Sequence, residues 1–347
     1  MNISALSKQA VRVALARVGL SIRRIAHEEK LYVLAGHDPA VPLPAGTETV
    51  LRYDNPRLLE LERRYRAVDS PVCQHTQWRA ELRPQAMDLR YFRGDNAYMW
   101  QYRRTRDFTR LRYYLYARYI RELDQRQLLG RKLTEDGLFG CFTFSFDEMP
   151  TVSRDLLDSI NELYFLDRHW NLFGRRGARL LDIGAGYGRL AHRMLSATDS
   201  VERYWCIDAI PRSTFLCEYY LGYRGCLTSN GGRAVVVPLD EMETSLQPGG
   251  ADLAVNIHSF SEMSYAAVEG WIRWLERLKV PYLMVIPNEP DMLSKEADDT
   301  RRSYRPIIER AGYRLIAQEP TIRDSDVRKL FGVADFMFLF AREAGPA

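Results

Sequence analysis

The chain has 347 residues, 46% of them hydrophobic, and 49 Lys and Arg face 45 Asp and Glu for a net charge of +4. That length holds one large domain with an accessory region, and the near-balance of charge removes the basic excess of a dedicated nucleic-acid binder. Five scattered cysteines (Cys73, Cys141, Cys206, Cys217, Cys226) without CxxC pairing exclude a disulfide framework or a zinc site, and no apolar run has the about 18 residues of a membrane span. The expectation is a cytoplasmic protein with reduced thiols.

Segment 1–30 is basic and amphipathic, with Val11, Leu15, Val18 and Ile22 at helical spacing. It lacks the long apolar core and cleavage site of a secretory signal. A surface helix packed on the protein is expected; contact with a membrane surface or partner is the rival. Residues 1–150 are rich in Arg and Tyr and read as a mainly helical accessory region. Stretch 40–47 (AVPLPAGT) is a loop, and Phe108, Leu111, Leu115 and Tyr119 form a helical stripe.

Residues 151–347 read as an α/β domain. Strands are expected at Ala178–Ile183, Tyr204–Ile207, Ala234–Val237, Asp252–Ile257 and Pro281–Ile286, then at Tyr313–Ala317 and Asp335–Ala341. Between them lie helical runs: Leu190 and Met194 one turn apart, a helix opened by Pro211, the stripe Val268, Trp271, Ile272, Leu275 and Leu278, and Ser303–Ala311 stopped by Gly312. This alternation predicts an open, mostly parallel, Rossmann-like sheet. The last two strands, with no helical run between them, predict an antiparallel end.

Asp182-Ile183-Gly184-Ala185-Gly186-Tyr187-Gly188-Arg189 spans the end of the first strand of this sheet and the start of its helix. Ligands bind there in such folds, and glycines let the backbone turn tightly against them. A nicotinamide or flavin fingerprint reads GxGxxG. Here Gly188 comes one residue early, and Asp182 would repel a pyrophosphate. A carboxylate at that point suits a cation, such as the ammonium of S-adenosylmethionine (SAM). Asp208, with Ala209 behind it, ends the next strand, where an acid takes ribose hydroxyls. Leu239-Asp240 follows the third, where Asp240 is placed to accept from an adenine amino group. These acids could also simply cap the helices that follow.

The three strand-end acids together resemble the class I SAM-dependent methyltransferases over residues 178–341. Asp182–Arg193, Asp208–Leu216 and Asn256–Met263, with Ser153–Ile160 upstream, look more narrowly like the sugar O-methyltransferase family. The resemblance implies that SAM is held by Asp182, Gly184, Ala185, Gly186, Arg189, Asp208, Ala209, Leu239, Asp240 and Asn256. It also implies that segment 139–166, before the first strand of the sheet, closes over SAM, with Arg154 and Tyr164 meeting its carboxylate or adenosine. The acceptor is then a saccharide or other sugar-containing small molecule.

O-methylation needs alignment and removal of a hydroxyl proton. His258, directly after the fourth strand, is the candidate base, and Glu262 is placed to orient it if the segment turns helically. The rival is a divalent ion such as magnesium, held by His258, Glu262, Asn288, Glu289 and Asp291. Asp95, Tyr98, Trp100 and Tyr102 form a polar-aromatic cluster on which a sugar ring could stack, with Asn288 on the same side; the same aromatics could equally be core. Two further readings stay open: a polyketide or aromatic acceptor, and a SAM-binding scaffold without catalysis. Nucleic-acid methylation is disfavoured because Asn256-Ile257-His258-Ser259 replaces the (D/N)PP(Y/F) run of that class. A homo-oligomer is left open.

Overall fold

Seven strands form the central sheet: β3 (Ala178–Ile183), β4 (Val201–Ile207), β5 (Ala234–Val237), β6 (Leu253–Ile257), β7 (Tyr282–Ile286), β8 (Tyr313–Pro320) and β9 (Phe336–Arg342). This computed structural model describes residues 43–73, 78, 87–95, 97–98, 101 and 107–342. The expected amphipathic segment 1–30, Trp100 and Tyr102 lie outside the described residues. The strand order is β5-β4-β3-β6-β7-β9-β8. The first five run parallel, and β9 is antiparallel to both its neighbours. That is the Rossmann-like, mostly parallel sheet with an antiparallel last strand expected from the sequence.

Strand burial follows position. Leu180–Ile183 of β3 and Leu253–Asn256 of β6 are buried without a break, as strands covered on both faces must be. At the edge, β8 shows the alternation of a strand with one wet face. Register sets the site. Ile183 of β3 is level with Ile207 of β4, so Gly184 and Asp208 leave the sheet side by side. Ile257 is level with Ile286, which does the same for His258 and the loop holding Asn288. Crossovers leave β3 and β6 in opposite directions, opening a crevice at their carboxyl ends.

Besides two single turns, Thr47–Val50 and Met242–Ser245, the helices are α1 (Pro56–Arg66), α2 (Asp107–Leu123), α3 (Arg154–Trp170), α4 (Arg189–Ala197), α5 (Pro211–Tyr223), α6 (Tyr265–Arg277), α7 (Arg305–Arg310) and α8 (Ser325–Phe331). A small antiparallel hairpin, β1 (Phe144–Phe146) and β2 (Met149–Val152), precedes α3. The expected division after residue 150 falls inside β2, and one cluster of buried side chains runs across it. Helix α3 is capped by Ser153, whose hydroxyl accepts from the Leu156 amide at 3.0 Å. Nearly its whole circumference is buried, Asp155, Asp158 and Glu162 included.

Burying those acids is tolerable only because cations meet them. Arg93 and Arg193 converge on Asp155 and Glu135, with side-chain exposures of 0–2%. Tyr187 of the glycine turn donates to Asp155 at 2.6 Å, and Ser153 donates to Glu135 at 2.5 Å. Five segments thereby meet at one buried ionic centre.

Two expectations need correction. Residues 107–123 form the expected helix, but of the expected stripe only Tyr119 is buried; Phe108 and Leu111 are exposed, and Tyr113, Tyr116, Ala117 and Ile120 are buried with Tyr119. Aromatic rings stand on both sides of this helix, so apolar spacing alone does not mark its inner face. Between β8 and β9 there is a helical run: α8 starts where Asp324 accepts from the amides of Asp326 and Val327 and stops at Gly332 with φ of +76°. With seven residues and only Phe331 buried, it is too short to show a stripe.

Candidate functional site

A cavity of about 430 Å³ lies over the carboxyl ends of β3, β4 and β6. One half is built by the glycine turn. Gly184, Gly186 and Gly188 all have positive φ, and a Cβ on Gly184 would lie 2.1 Å from the Ser259 hydroxyl. A side chain there would fill the cradle. Asp182 is 4% exposed and accepts from the Tyr204 hydroxyl at 2.9 Å. Asp208 accepts from the amides of Gly186 at 2.9 Å and Ile210 at 2.8 Å, tying the two loops together. Burial pushes each carboxyl up to about 7, although these hydrogen bonds pull the other way. Two buried acids, neither paired with a cation among the described residues, make this half attractive to a cationic ligand and hostile to a pyrophosphate. Ala185, Ala209 and Ile210 complete its wall.

Other residues expected at the cofactor are placed differently. Arg189 lines the cavity but forms a fork with Glu162 at 2.7 and 2.9 Å. Arg154 also lines it, with its Nε 2.9 Å from Asp158. Asn256 lies behind the lining: its amide donates to the Ile183 carbonyl and the Ser259 hydroxyl, stapling β6 to β3. Asp240 is held outside the cavity by Arg64 at 2.7 Å. The Leu239 amide donates to the Tyr65 hydroxyl at 2.9 Å. Tyr164 is remote, donating to Asp124 at 2.6 Å.

The second half is lined by His258, Glu262, Asn288, Arg154, Asp158 and Asp335, with Met263, Trp271 and Val333 as its apolar patch. His258 has φ of +66° and ψ of −34°, a strained conformation for a side chain other than glycine. Its amide donates to the Ile286 carbonyl at 2.6 Å, and Nδ1 is buried with no hydrogen-bond partner among the described residues. Enclosure, with Arg154 and Arg189 nearby, holds the imidazole down to about 4, although Asn288 bonded to it opposes this. The ring is therefore neutral at pH 7. Ser259–Glu262 does form a helical turn, of 3₁₀ type. Glu262 accepts from Trp78 Nε1 at 2.9 Å and from Asn288 Nδ2 at 3.5 Å.

Tyr98 lines the cavity next to Gly186 and shares a hydrogen bond of 3.1 Å with Ser213. Trp78 packs against it with ring centres 5.2 Å apart. Of the expected metal ligands, Glu289 is paired with Arg301. Among the described residues, no three His, Cys, Asp or Glu side chains converge as a metal site. No described helix is long and apolar enough to cross a membrane. Sequence reasoning missed Trp78, Asp158 and Asp335. Asp158 lies within Ser153–Ile160 and Asp335 opens the last expected strand, but nothing in their spacing marks them.

Fold and site together define a Rossmann-like α/β protein with an acidic ligand cavity at the switch point of its sheet. No family model and no curated protein matches the chain. Solved structures similar to it include the cyclase SpnF, at 17% identity over 56% of this chain and 84% of that one, with a TM-score of 0.41. Another is a SAM-dependent methyltransferase from Aquifex aeolicus, at 17% identity over 50% and 87%, with a TM-score of 0.38. A third is magnesium protoporphyrin IX methyltransferase from Synechocystis with bound SAM, at 13% identity over 55% and 83%, with a TM-score of 0.39. Similarities this low bear on neither substrate nor mechanism.

Proposed function

We propose that the chain transfers the methyl group of SAM to a hydroxyl of a sugar-containing acceptor. The observation that carries this is the pair Asp182 and Asp208, both buried and both lining one cavity at the glycine turn. The donor set fits SAM: Asp182 suits an ammonium, and Asp208 keeps lone pairs for ribose hydroxyls beyond its two amide bonds. The open backbone at Gly184 and Gly186 lets a ligand approach closely. When bound, SAM supplies a methyl group already activated by its sulfonium.

The protein then has to orient the acceptor and take its proton. His258, on the cavity lining, is the residue assigned to orient the reacting hydroxyl. Asn288 bonds the imidazole and also reaches Glu262, so Glu262 acts on His258 through Asn288. A pocket rich in both donors and acceptors suits a sugar, whose hydroxyls need both. The aromatic wall of Trp78, Tyr98 and Trp271 favours a second reading, a flat aromatic or polyketide hydroxyl.

Tritiated-methyl SAM offered with monosaccharides, methyl glycosides and phenols tests the proposal. Label on sugars is the expected result. Label on phenols alone replaces the sugar with the second reading. Binding of S-adenosylhomocysteine without transfer to any of them leaves a SAM-binding scaffold.

A further inference from the structure

We propose that Asp335 is the proton acceptor for the acceptor hydroxyl, a further catalytic residue of the methyl transfer inferred above. The assignment rests on that function. Asp335 ends the link from α8 to β9 and lines the cavity beside Gly332 and Val333. Its carbonyl accepts from the Thr321 amide at 2.9 Å, which fixes the loop. Phe331, at the end of α8, lies against the Arg154 guanidinium, 5.5 Å from ring centre to Cζ.

The other acids of the cavity are engaged. Asp158 takes Arg154 and the Tyr116 hydroxyl, Asp182 takes Tyr204, Asp208 takes two amides, and Glu262 takes Trp78. Among the described residues, nothing donates a hydrogen bond to the Asp335 carboxylate or pairs with it at ion-pair distance. Its lone pairs are available to whatever enters.

The charges facing it are Arg154 and Asp158 from α3 and Glu289 after β7. Burial raises its carboxyl to about 6; Arg154 opposes the rise, and the two acids add to it. It is therefore mostly ionised at pH 7 yet near enough to that pH to be an effective base. His258, held near 4, binds a proton roughly a hundredfold less tightly. Contact with the hydroxyl and custody of its proton are thus divided between two residues.

In the step, a C–O bond forms between the acceptor oxygen and the methyl carbon. The S–CH₃ bond breaks with its electron pair going to sulfur, which leaves neutral S-adenosylhomocysteine. The hydroxyl proton passes to Asp335 and is released to water afterwards.

The test is kcat at saturating SAM from about pH 5 to about pH 9, on whichever probe acceptor the wild type methylates. Wild type is expected to rise with pH to a plateau, through an apparent pKa at or below about 6. Asp335→Asn should lower kcat by about 10²–10⁴-fold and flatten that rise, with S-adenosylhomocysteine affinity within about twofold of wild type. Asp335→Glu should recover part of the rate, and His258→Gln should keep the rise. Asp335→Asn that keeps the rise and falls less than about tenfold overturns the assignment. So does a rise that vanishes in His258→Gln instead. A wild type that binds S-adenosylhomocysteine but methylates no probe removes the underlying function, and the assignment with it.

Discussion

Arg93 donates twice to one oxygen of Asp155, at 3.0 Å from Nη2 and 3.2 Å from Nε, in a place with almost no exposed surface. Arg93 belongs to the accessory half and Asp155 to the helix that backs the cavity. Asp155 also takes Arg193 at 2.8 Å and the Tyr187 hydroxyl. These partners hold its carboxyl far below the usual range despite burial. Asp155→Ala leaves two buried guanidinium groups short of an anion and should cost about 3–5 kcal/mol in chemical denaturation. The exposed pair Arg305 and Glu309 is the contrast: Arg305→Ala should cost about 0.3–0.5 kcal/mol. Equal losses at the two sites would mean that the buried centre does not join the halves.

The glycine turn makes a sharper demand. Gly184 has φ of +74°, and its added Cβ would meet Ser259 Cβ at 2.5 Å as well as the hydroxyl. Ser259 cannot swing away cheaply, because its hydroxyl accepts from Asn256 at 2.6 Å. Gly184→Ala should therefore lose about 2–4 kcal/mol of stability, combining left-handed strain with overpacking. SAM binding should fall with it. Gly249 also has positive φ, of +76°, but a Cβ there meets nothing within 4 Å. Gly249→Ala should show the strain alone, about 1–2 kcal/mol, in the same thermal or urea melts.

The sequence showed where chemistry follows local pattern and hid where it depends on distant partners. Asp182 and Asp208 were legible because a strand end followed by a turn fixes their direction. The strand order could not be read directly, but strand–helix alternation admits few alternatives. Asp240 was read by the same rule and lies elsewhere, because Arg64, 176 residues earlier, holds it. Asn256 was expected at the ligand and instead pins two strand ends, a role that depends on a neighbouring strand. Asp335 opens a strongly apolar run, so it read as the first residue of a strand. Only the packing of α8 and α3 around it reveals a cavity wall.

The raised carboxyls of Asp182 and Asp208 predict how SAM binding responds to pH. Each is near 7 in the protein alone, so both are largely protonated at pH 6. A cationic ligand binds their ionised forms, and binding below pH 7 must release protons. Affinity for S-adenosylhomocysteine should therefore strengthen from pH 6 to pH 8, by about tenfold across those two units for each acid that must ionise. Stability of the ligand-free protein runs the other way. A folded pKa above the unfolded value means that the contribution is fully present below about 4 and lost as pH rises through about 7. Calorimetric titration and melting at both pH values check the two signs. Affinity that does not change with pH would show that neither acid meets the ligand's charge.

His258 carries backbone strain at the edge of the cavity. At φ of +66° a side chain costs about 1–3 kcal/mol, and glycine avoids most of that cost. Replacing it separates structure from function. His258→Ala keeps the strain and loses the ring; His258→Gly loses both. The glycine variant should be more stable than the alanine variant by about 1 kcal/mol. Both should lose the same turnover, about 10–100-fold, with S-adenosylhomocysteine affinity unchanged, because only contact with the acceptor hydroxyl is removed. If turnover tracked stability instead, recovering in the glycine variant, His258 would be a turn residue and the hydroxyl would be oriented by other groups.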